Sequence, residues 1–374
     1  MQRYKLCDIA KEISIRENNP ATSTYDKFVG LEHYEPGEVV IRKFGSTNML
    51  NSAMKIFRNG DVLVARRNVY LRRAATVSFE GLTSGDSIVL RADNDRIAKL
   101  LPYILNSTSF WNFAEQHADG TMSKRLSPKT LMQYEFYLPS VEEQDKLIDL
   151  LWSIDRTRQA YKQLLLATDD LVKSQFIEMF ADVPGAKYTT LEQCCTSVTG
   201  GSTPSMKHEE YYGGNVPFIK SGDVKDPYIS SGALWLTEEA LQKTTAKYVP
   251  TGTVIVVTRS GILKHDLPVA IASNPVVINQ DLKAFQPRKE FTSQYLAWAI
   301  RSNENRLLGM TRSMTVDNIE SKELYNIPVM IASFELQQHF SEFVHQSDKS
   351  KFEIKETLNT LTTAYKTIID KSFS

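Results

Sequence analysis

The chain has 374 residues, 44 Lys and Arg against 44 Asp and Glu, and a hydrophobic fraction of 42%. That length suits two or three domains with cores of their own, and the charge balance gives no global reason to expect nucleic acid, so any basic surface has to be local. No apolar run approaches the roughly 18 residues that signal a membrane span. Met1 to Asp8 lacks the apolar region of a signal peptide, and Cys7, Cys194 and Cys195 are odd in number and without CxxC spacing. We read them as reduced thiols of a cytoplasmic protein.

In chain order, residues 1–139 are mixed and strand-rich. Val39-Val40-Ile41, Asp61 to Ala65, Ala75 to Phe79 and Ser87 to Leu90 are short β-type runs bounded by Gly, Asn and Asp. A helix is expected over 95–117, where Ile97, Leu100, Leu101, Ile104 and Leu105 recur at helical spacing before Trp111 and Phe113. Ser140 followed by Glu143 is a capping box that opens a long helix over about 141–180, free of Pro and Gly. Leu150, Thr157, Leu164 and Leu171 fall at intervals of seven, as do Leu151, Arg158, Leu165 and Val172. Such stripes pack along a partner helix. A rod of this length measures roughly 60 Å at 1.5 Å per residue, and Pro184-Gly185 ends it.

Residues 186–332 return to strands at Val216 to Ile219, Gly252 to Val257, Val269 to Ile271 and Leu282 to Phe285, with a helix over about 292–308. A second long helix is expected over about 334–373, with Ile354, Leu361 and Ile368 seven apart, and likewise Leu358 and Tyr365. The chain is therefore written twice. Leu126, Leu131, Tyr134, Leu138, Ser140, Glu142 and Gln144 match Ile319, Leu324, Ile327, Ile331, Ser333, Glu335 and Gln337, each 193 positions on. Gly60-Asp-Val-Leu-Val-Ala-Arg-Arg-Asn68 matches Gly252-Thr-Val-Ile-Val-Val-Thr-Arg-Ser260, 192 positions on. The boundaries expected are a module over 1–139, a helix over 140–183, a second module over 184–332 and a helix over 333–374. The fold class is α+β: two mixed modules with a pseudo-two-fold repeat, separated by two long helices that most simply pair as an antiparallel coiled coil and hold the modules at opposite ends.

This order of parts resembles the specificity (S) subunit of type I restriction–modification enzymes. Gly30-Leu-Glu-His-Tyr34, Phe57 to Val64, Arg66 to Arg73, Gly81 to Asp86 and Tyr134 to Pro139 are similar to one common class of target-recognition domain. Gly201-Ser-Thr-Pro204, Tyr211 to Asp223 and Asn279-Gln-Asp-Leu282 are similar to another. The second helix start departs from the first, with Leu336 in place of the capping Glu and Ala332 in place of Pro139. The resemblance implies a non-catalytic subunit that recognises double-stranded DNA for host defence. It implies two methylation subunits that use S-adenosylmethionine to methylate adenine N6, and motor-nuclease subunits that use ATP and Mg. No cofactor is expected on this chain, and its lack of a GxxxxGK[ST] loop or an adenine-methylation motif agrees.

The densest basic and aromatic cluster is Arg66, Arg67, Tyr70, Arg72 and Arg73. From the residues alone it fits a DNA contact and a solvated strand edge about equally; the resemblance favours DNA. On a continued strand Arg67 and Arg73 would share one face, so the whole cluster can serve only if the strand ends near Asn68. The second module offers Arg259, Ser260, Lys264 and His265, with Lys207, Lys220 and Ser221 in Gly-rich loops. Lys124 and Arg125 in Thr121 to Arg125 pair with Arg312 in Thr311 to Met314. Asp61 and Asp223 each follow Gly and read as turn residues. The six His show no metal-ligand spacing. On the helices, Glu142, Asp145, Lys146, Gln338, His339 and Glu342 are expected to face partner subunits or simply solvent. An enzyme in its own right would need a constellation that is not found. A protein-binding scaffold of two modules on a coiled-coil spacer is the remaining alternative. The DNA reading predicts an asymmetric split target, its halves on the order of one helical turn, about 10 bp, apart.

Overall fold

A computed structural model describes residues 1–120, 123–181, 183–310 and 318–373. The chain divides into two units, Met1–Lys162 with Lys355–Ser374, and Gln163–Ile354. Both long helices, Val141–Phe180 and Phe334–Phe373, contribute to each unit.

In the first unit a five-stranded sheet runs in the order Ala10–Ile13, Ser87–Ala92, Val62–Ala65, Ala74–Val77, Val40–Ile41. Its pairings are antiparallel except the last. Every residue of Val62–Ala65 is buried. Strand alternation explains why that run is apolar throughout: Val62 and Val64 face one core with the helices, Leu63 and Ala65 face another. The second core is closed by a sheet of Arg16–Glu17, Met54–Phe57, Gly81–Thr83, Lys27–Val29 and Gly45–Ser46. These last strands are short and half polar, and the sequence pattern did not mark most of them.

The second unit repeats the plan. Cys195–Gly200, Leu282–Pro287, Val254–Val257, Val269–Ala272 and Tyr228–Ile229 form a sheet with the same sequence of antiparallel and parallel pairings. Leu234–Leu236, Tyr212–Ile219, Val276–Val277–Ile278 and Tyr248–Val249 form the other sheet. A small two-stranded ladder closes each unit, Gln2–Lys5 with Glu135–Leu138 and Tyr188–Thr190 with Pro328–Met330. The repeat falters here. Leu138 is buried, whereas its match Ile331 lies one residue past a strand that ends at Met330, and is exposed.

The expected helix over 95–117 is two, Asp95–Ile104 and Thr108–His117. Ser107 accepts the Phe110 N–H and so starts a new helix, while Asn106 donates to the carbonyls of Ala74 and Pro102. The helix over 292–308 likewise divides at Asn303 into Ser293–Ser302 and Glu304–Gly309. The long helices run as their patterns predict. Ser140 and Glu143 bond reciprocally at the first start, the Ser140 N–H to Oε2 at 2.9 Å and the Glu143 N–H to Oγ at 3.4 Å.

Of the two heptad stripes on the first long helix, the one through Leu151, Arg158 and Val172 is buried, whereas Leu150, Leu164 and Leu171 are exposed. Each unit pairs its helical segments antiparallel. In the first, the Arg158 guanidinium lies 4.9 Å from the Tyr365 ring centroid, and Leu151 shares a core with Ile369 and Phe373. Asp370 accepts the Thr108 N–H at 2.7 Å and so caps a helix of that unit. In the second unit Asp169 pairs with Lys351 at 3.0 Å, and Phe176 with Phe340 at 5.4 Å.

Candidate nucleic-acid interface

The strand Val62–Ala65 stops before the arginines, and the chain turns through a 3-10 turn, Val69–Leu71, flanked by Asn68 and Arg72 in left-handed conformation (φ 56° and 50°). The cluster therefore splits. Arg67 is exposed and forms an isolated antiparallel bridge with Arg125. Its Nε donates to Ser123 Oγ at 2.9 Å, and Ser123 in turn donates to Asn68 Oδ1 at 3.2 Å. Asp86 sits between the two guanidiniums, 3.7 Å from Arg67 and 3.6 Å from Arg125. Tyr70 stands at the tip of the turn, 62% exposed. Lys124 is exposed, and its carbonyl accepts the Asn68 N–H.

The other arginines are engaged inside the fold. Arg73 donates to the carbonyls of Leu31 and Arg67 at 3.1 and 3.0 Å, and burial lowers its pKa. It holds the turn in shape. Arg72 pairs with Glu115 at 3.3 Å. Arg66 is partly buried, its main chain clasped between Asp86 and Leu126.

The second module repeats this backbone frame. Arg66 and Thr258 donate their N–H groups to the carbonyls of Asp86 and Asp281, each at 2.9 Å, and the N–H groups of Leu126 and Ile319 donate to the carbonyls of Arg66 and Thr258, each at 2.9 Å. Arg259 bridges Asn318 as Arg67 bridges Arg125. The Arg67/Arg259 match read from the sequence is thus a match of backbone partners. Ser260 accepts the Ile262 N–H at 3.4 Å and starts the turn Gly261–Lys264, with Lys264 and His265 exposed at its end.

Lys220 and Ser221 join the same end of the sheets. Asn279 donates its N–H to Ile219 and its side-chain amide to Asp281. Lys220 N–H donates to Asp223 Oδ2 at 2.8 Å, the turn role expected for Asp223. Gly30 N–H donates to His33 Nδ1 at 2.8 Å on the corresponding turn of the first module. Lys207 is exposed on the loop before the turn Glu209–Tyr211. Arg312 and its segment Thr311 to Met314 lie outside the described residues, as do Thr121 and Met122.

Sequence reasoning missed Asp86, Ser123, Asn318 and the Thr203–Gln280 hydrogen bond. Asn318 lies 193 positions after Arg125, so the register could have located it, whereas Asp86 matches Asp281 at 195 positions and falls outside that register. Among the described residues no group of three His, Cys, Asp or Glu is placed to hold a metal ion, and no helix is long and apolar enough to cross a membrane. Asp61 serves its turn, accepting the Arg58 N–H and both ends of the Arg91 fork. Of the helix residues, Asp145 turns to Arg96 and Glu142 to Lys146, while Gln338, His339 and Glu342 are exposed.

Two copies of one frame, carrying different side chains at matched positions, define a duplicated module. Residues 185–363 match the type I restriction modification DNA specificity domain. The chain is 30% identical over 162 residues to the type I restriction enzyme EcoR124I/EcoR124II specificity subunit of Escherichia coli, covering 42% of this chain and 40% of that protein. It is also 30% identical over 156 residues to the MjaIX specificity subunit of Methanocaldococcus jannaschii, covering 40% and 35%. The chain thus matches less than half the length of these relatives by sequence.

By fold the likeness extends further. A chain from a study of complex assembly and conformational transition in a type I R-M system aligns with a TM-score of 0.59 at 21% identity, over 99% of this chain and 97% of that one. The S subunit of the type I system of M. genitalium aligns at 0.57 and 15%, over 100% and 96%. The likeness to type I restriction–modification specificity subunits thus covers residues 185–363 by sequence, and the whole length shares a fold with those solved structures.

Proposed function

We propose that this chain is the DNA-reading subunit of a type I restriction–modification complex, each module recognising one half of a bipartite, asymmetric duplex site. The observation that carries this reading is the pair of matched bridges, Arg67 with Arg125 and Arg259 with Asn318. One backbone frame offers two different sets of donors and acceptors, which suits two unrelated half-sites. Arg67, Tyr70, Lys124, Arg125, Lys207, Lys220, Ser221, Arg259, Lys264 and His265 would touch bases or phosphates, and Arg312 is a further candidate by its sequence position alone. Arg66, Arg72 and Arg73 would act by shaping the loop.

On this reading the chain has no catalytic group of its own. Two methylation subunits dock on the long helices and bring S-adenosylmethionine, and motor-nuclease subunits bring ATP and Mg, all in the cytoplasm. The exposed stripe of Leu150, Leu164 and Leu171 is the apolar surface such docking would cover.

Co-expression with a cognate methylation subunit, followed by sequencing of adenine methylation on host DNA, tests the reading. A two-part methylated motif that loses one half when the loop Arg66–Arg73 is exchanged supports it. Stable binding of a protein ligand that is insensitive to salt, with no affinity for duplex DNA, would favour the scaffold instead, because phosphate contacts release counterions and weaken steeply with salt.

A further inference from the structure

The first module differs from the second in having two guanidiniums across its bridge. Arg67 and Arg125 are about half exposed, 45% and 51%. Alone they would repel each other and sample many rotamers. Asp86 lies between them at 3.7 and 3.6 Å, and Ser123 fixes the Arg67 Nε. Both planar forks are thereby held at one edge of the module with N–H groups left over.

The carboxylate also decides what such a site accepts. The carboxylate offsets one of the two positive charges, so a phosphate gains less from the pair than it would from two bare guanidiniums, whereas a neutral base edge with two acceptors gives up little. Guanine presents N7 and O6 at the spacing of one guanidinium fork. Bridge partners lie about 4.5–5.5 Å apart at Cα and successive bases about 3.4 Å apart, so the two forks suit neighbouring steps. In the second module Asn318 replaces the second arginine, and Asp281 takes the Asn279 amide at 2.9 Å. The geometry points to Arg67 and Arg125 as paired guanine readers of the first half-site, with Asp86 as the positioning residue that aims both forks. The assignment rests on the function proposed above.

The test uses the assembled complex with its methylation subunit and duplexes in which single guanines of the mapped site become 7-deazaguanine, which lacks N7. Wild type is expected to lose about tenfold or more in affinity at one or two guanines of one half-site only. Arg67→Ala and Arg125→Ala, already weak on natural DNA, are each expected to lose nothing further at the guanine that the replaced arginine reads and to keep the penalty at the other. Asp86→Asn keeps its backbone bonds and is expected to narrow the difference between guanine and 7-deazaguanine while leaving the other half-site unchanged. Arg125→Lys, which retains charge but no fork, is expected to bind with the same salt slope and lose the discrimination at the guanine that Arg125 reads. Sequence-specific binding that ignores 7-deazaguanine in the first half-site, or that keeps its full penalty at every guanine in both alanine variants, would overturn the guanine assignment alone. Absence of any sequence-specific duplex binding by the wild-type complex would overturn the proposed function with it.

Discussion

The first unit adds a buried charge cluster to the apolar and ring contacts that hold its helical segments, whereas the second holds them with a denser set of aromatic rings. In the first, buried Glu38 accepts from Arg42, Arg158 and Lys162, and also from Gln159, while Arg42 reaches the buried Asp155 at 3.3 Å. Burial raises the Asp155 pKa. In the second, Phe176, Phe180 and Phe340 pack with Tyr295 and Trp298, and a buried Gln337 clamps the Thr292 N–H and the Glu290 carbonyl. Two copies of one frame have solved the same attachment by different chemistry. What duplication preserved is the backbone ladder; what it left free is the side-chain content of the core as well as of the reading end.

The sharpest way to break this comparison is to remove one partner of each attachment. Glu38→Ala takes from Arg158, which is 5% exposed, its hydrogen-bonded carboxylate, leaving only Asp155 at 3.9 Å, and is expected to cost about 3–5 kcal/mol in thermal or urea unfolding. Phe340→Ala, fully buried, is expected to cost a similar ~3–5 kcal/mol through the cavity it leaves. Double replacement of Glu38 and Arg158 by apolar residues of like size should be much milder than Glu38→Ala, and equal losses would mean that packing, not charge, governs the first attachment.

A smaller difference lies at the matched pair Asp61 and Thr253. Asp61 satisfies Arg91 and the Arg58 N–H, whereas the buried Thr253 hydroxyl has no hydrogen-bond partner among the described residues. Asp61→Ala is expected to destabilise by about 1–3 kcal/mol, and Thr253→Val to be neutral or slightly stabilising. Denaturant midpoints of the two variants decide it.

The helix starts differ in pH response. Hydrogen bonds from the Ser140 hydroxyl and N–H hold the Glu143 pKa below its ordinary 4.5. The stabilisation is therefore present above that value and fades as pH falls through the lowered one. Glu143→Leu is expected to flatten the acid limb of the melting curve, and Leu336→Ala to leave it unchanged. Smallest of all is the thiol contrast. Cys7 is exposed, while burial pushes Cys194 and Cys195 up to about 12. A thiol reagent should label one cysteine in the native protein and three after denaturation.

Most of the frame was legible because it repeats. The ends of the first long helix follow from the Ser140 capping box and Pro184-Gly185, and the second helix follows from its long run free of Pro and Gly. The central strands followed from their unbroken apolar runs. Which heptad stripe packs was not legible, since the Leu150 and Leu151 series are both apolar and one residue apart. Nor was the division of the arginine cluster, because it depends on left-handed backbone at Asn68 and Arg72, positions where the residue types permit other conformations. The helix break at Asn106-Ser107 was missed because the apolar spacing continues across it.

The makeup of the first unit also sets a timetable. Tyr365, Ile369 and Phe373 belong to its core, and Asp370 caps one of its helices, so the part of the protein made first is finished last. During synthesis, at about 5–20 residues per second, the segment Met1–Lys162 waits on the order of ten seconds or more for the residues that complete it, while Gln163–Ile354 has all its own parts sooner. A ribosome that stalls late would release a chain whose first half, rather than its truncated end, is the exposed and protease-sensitive portion.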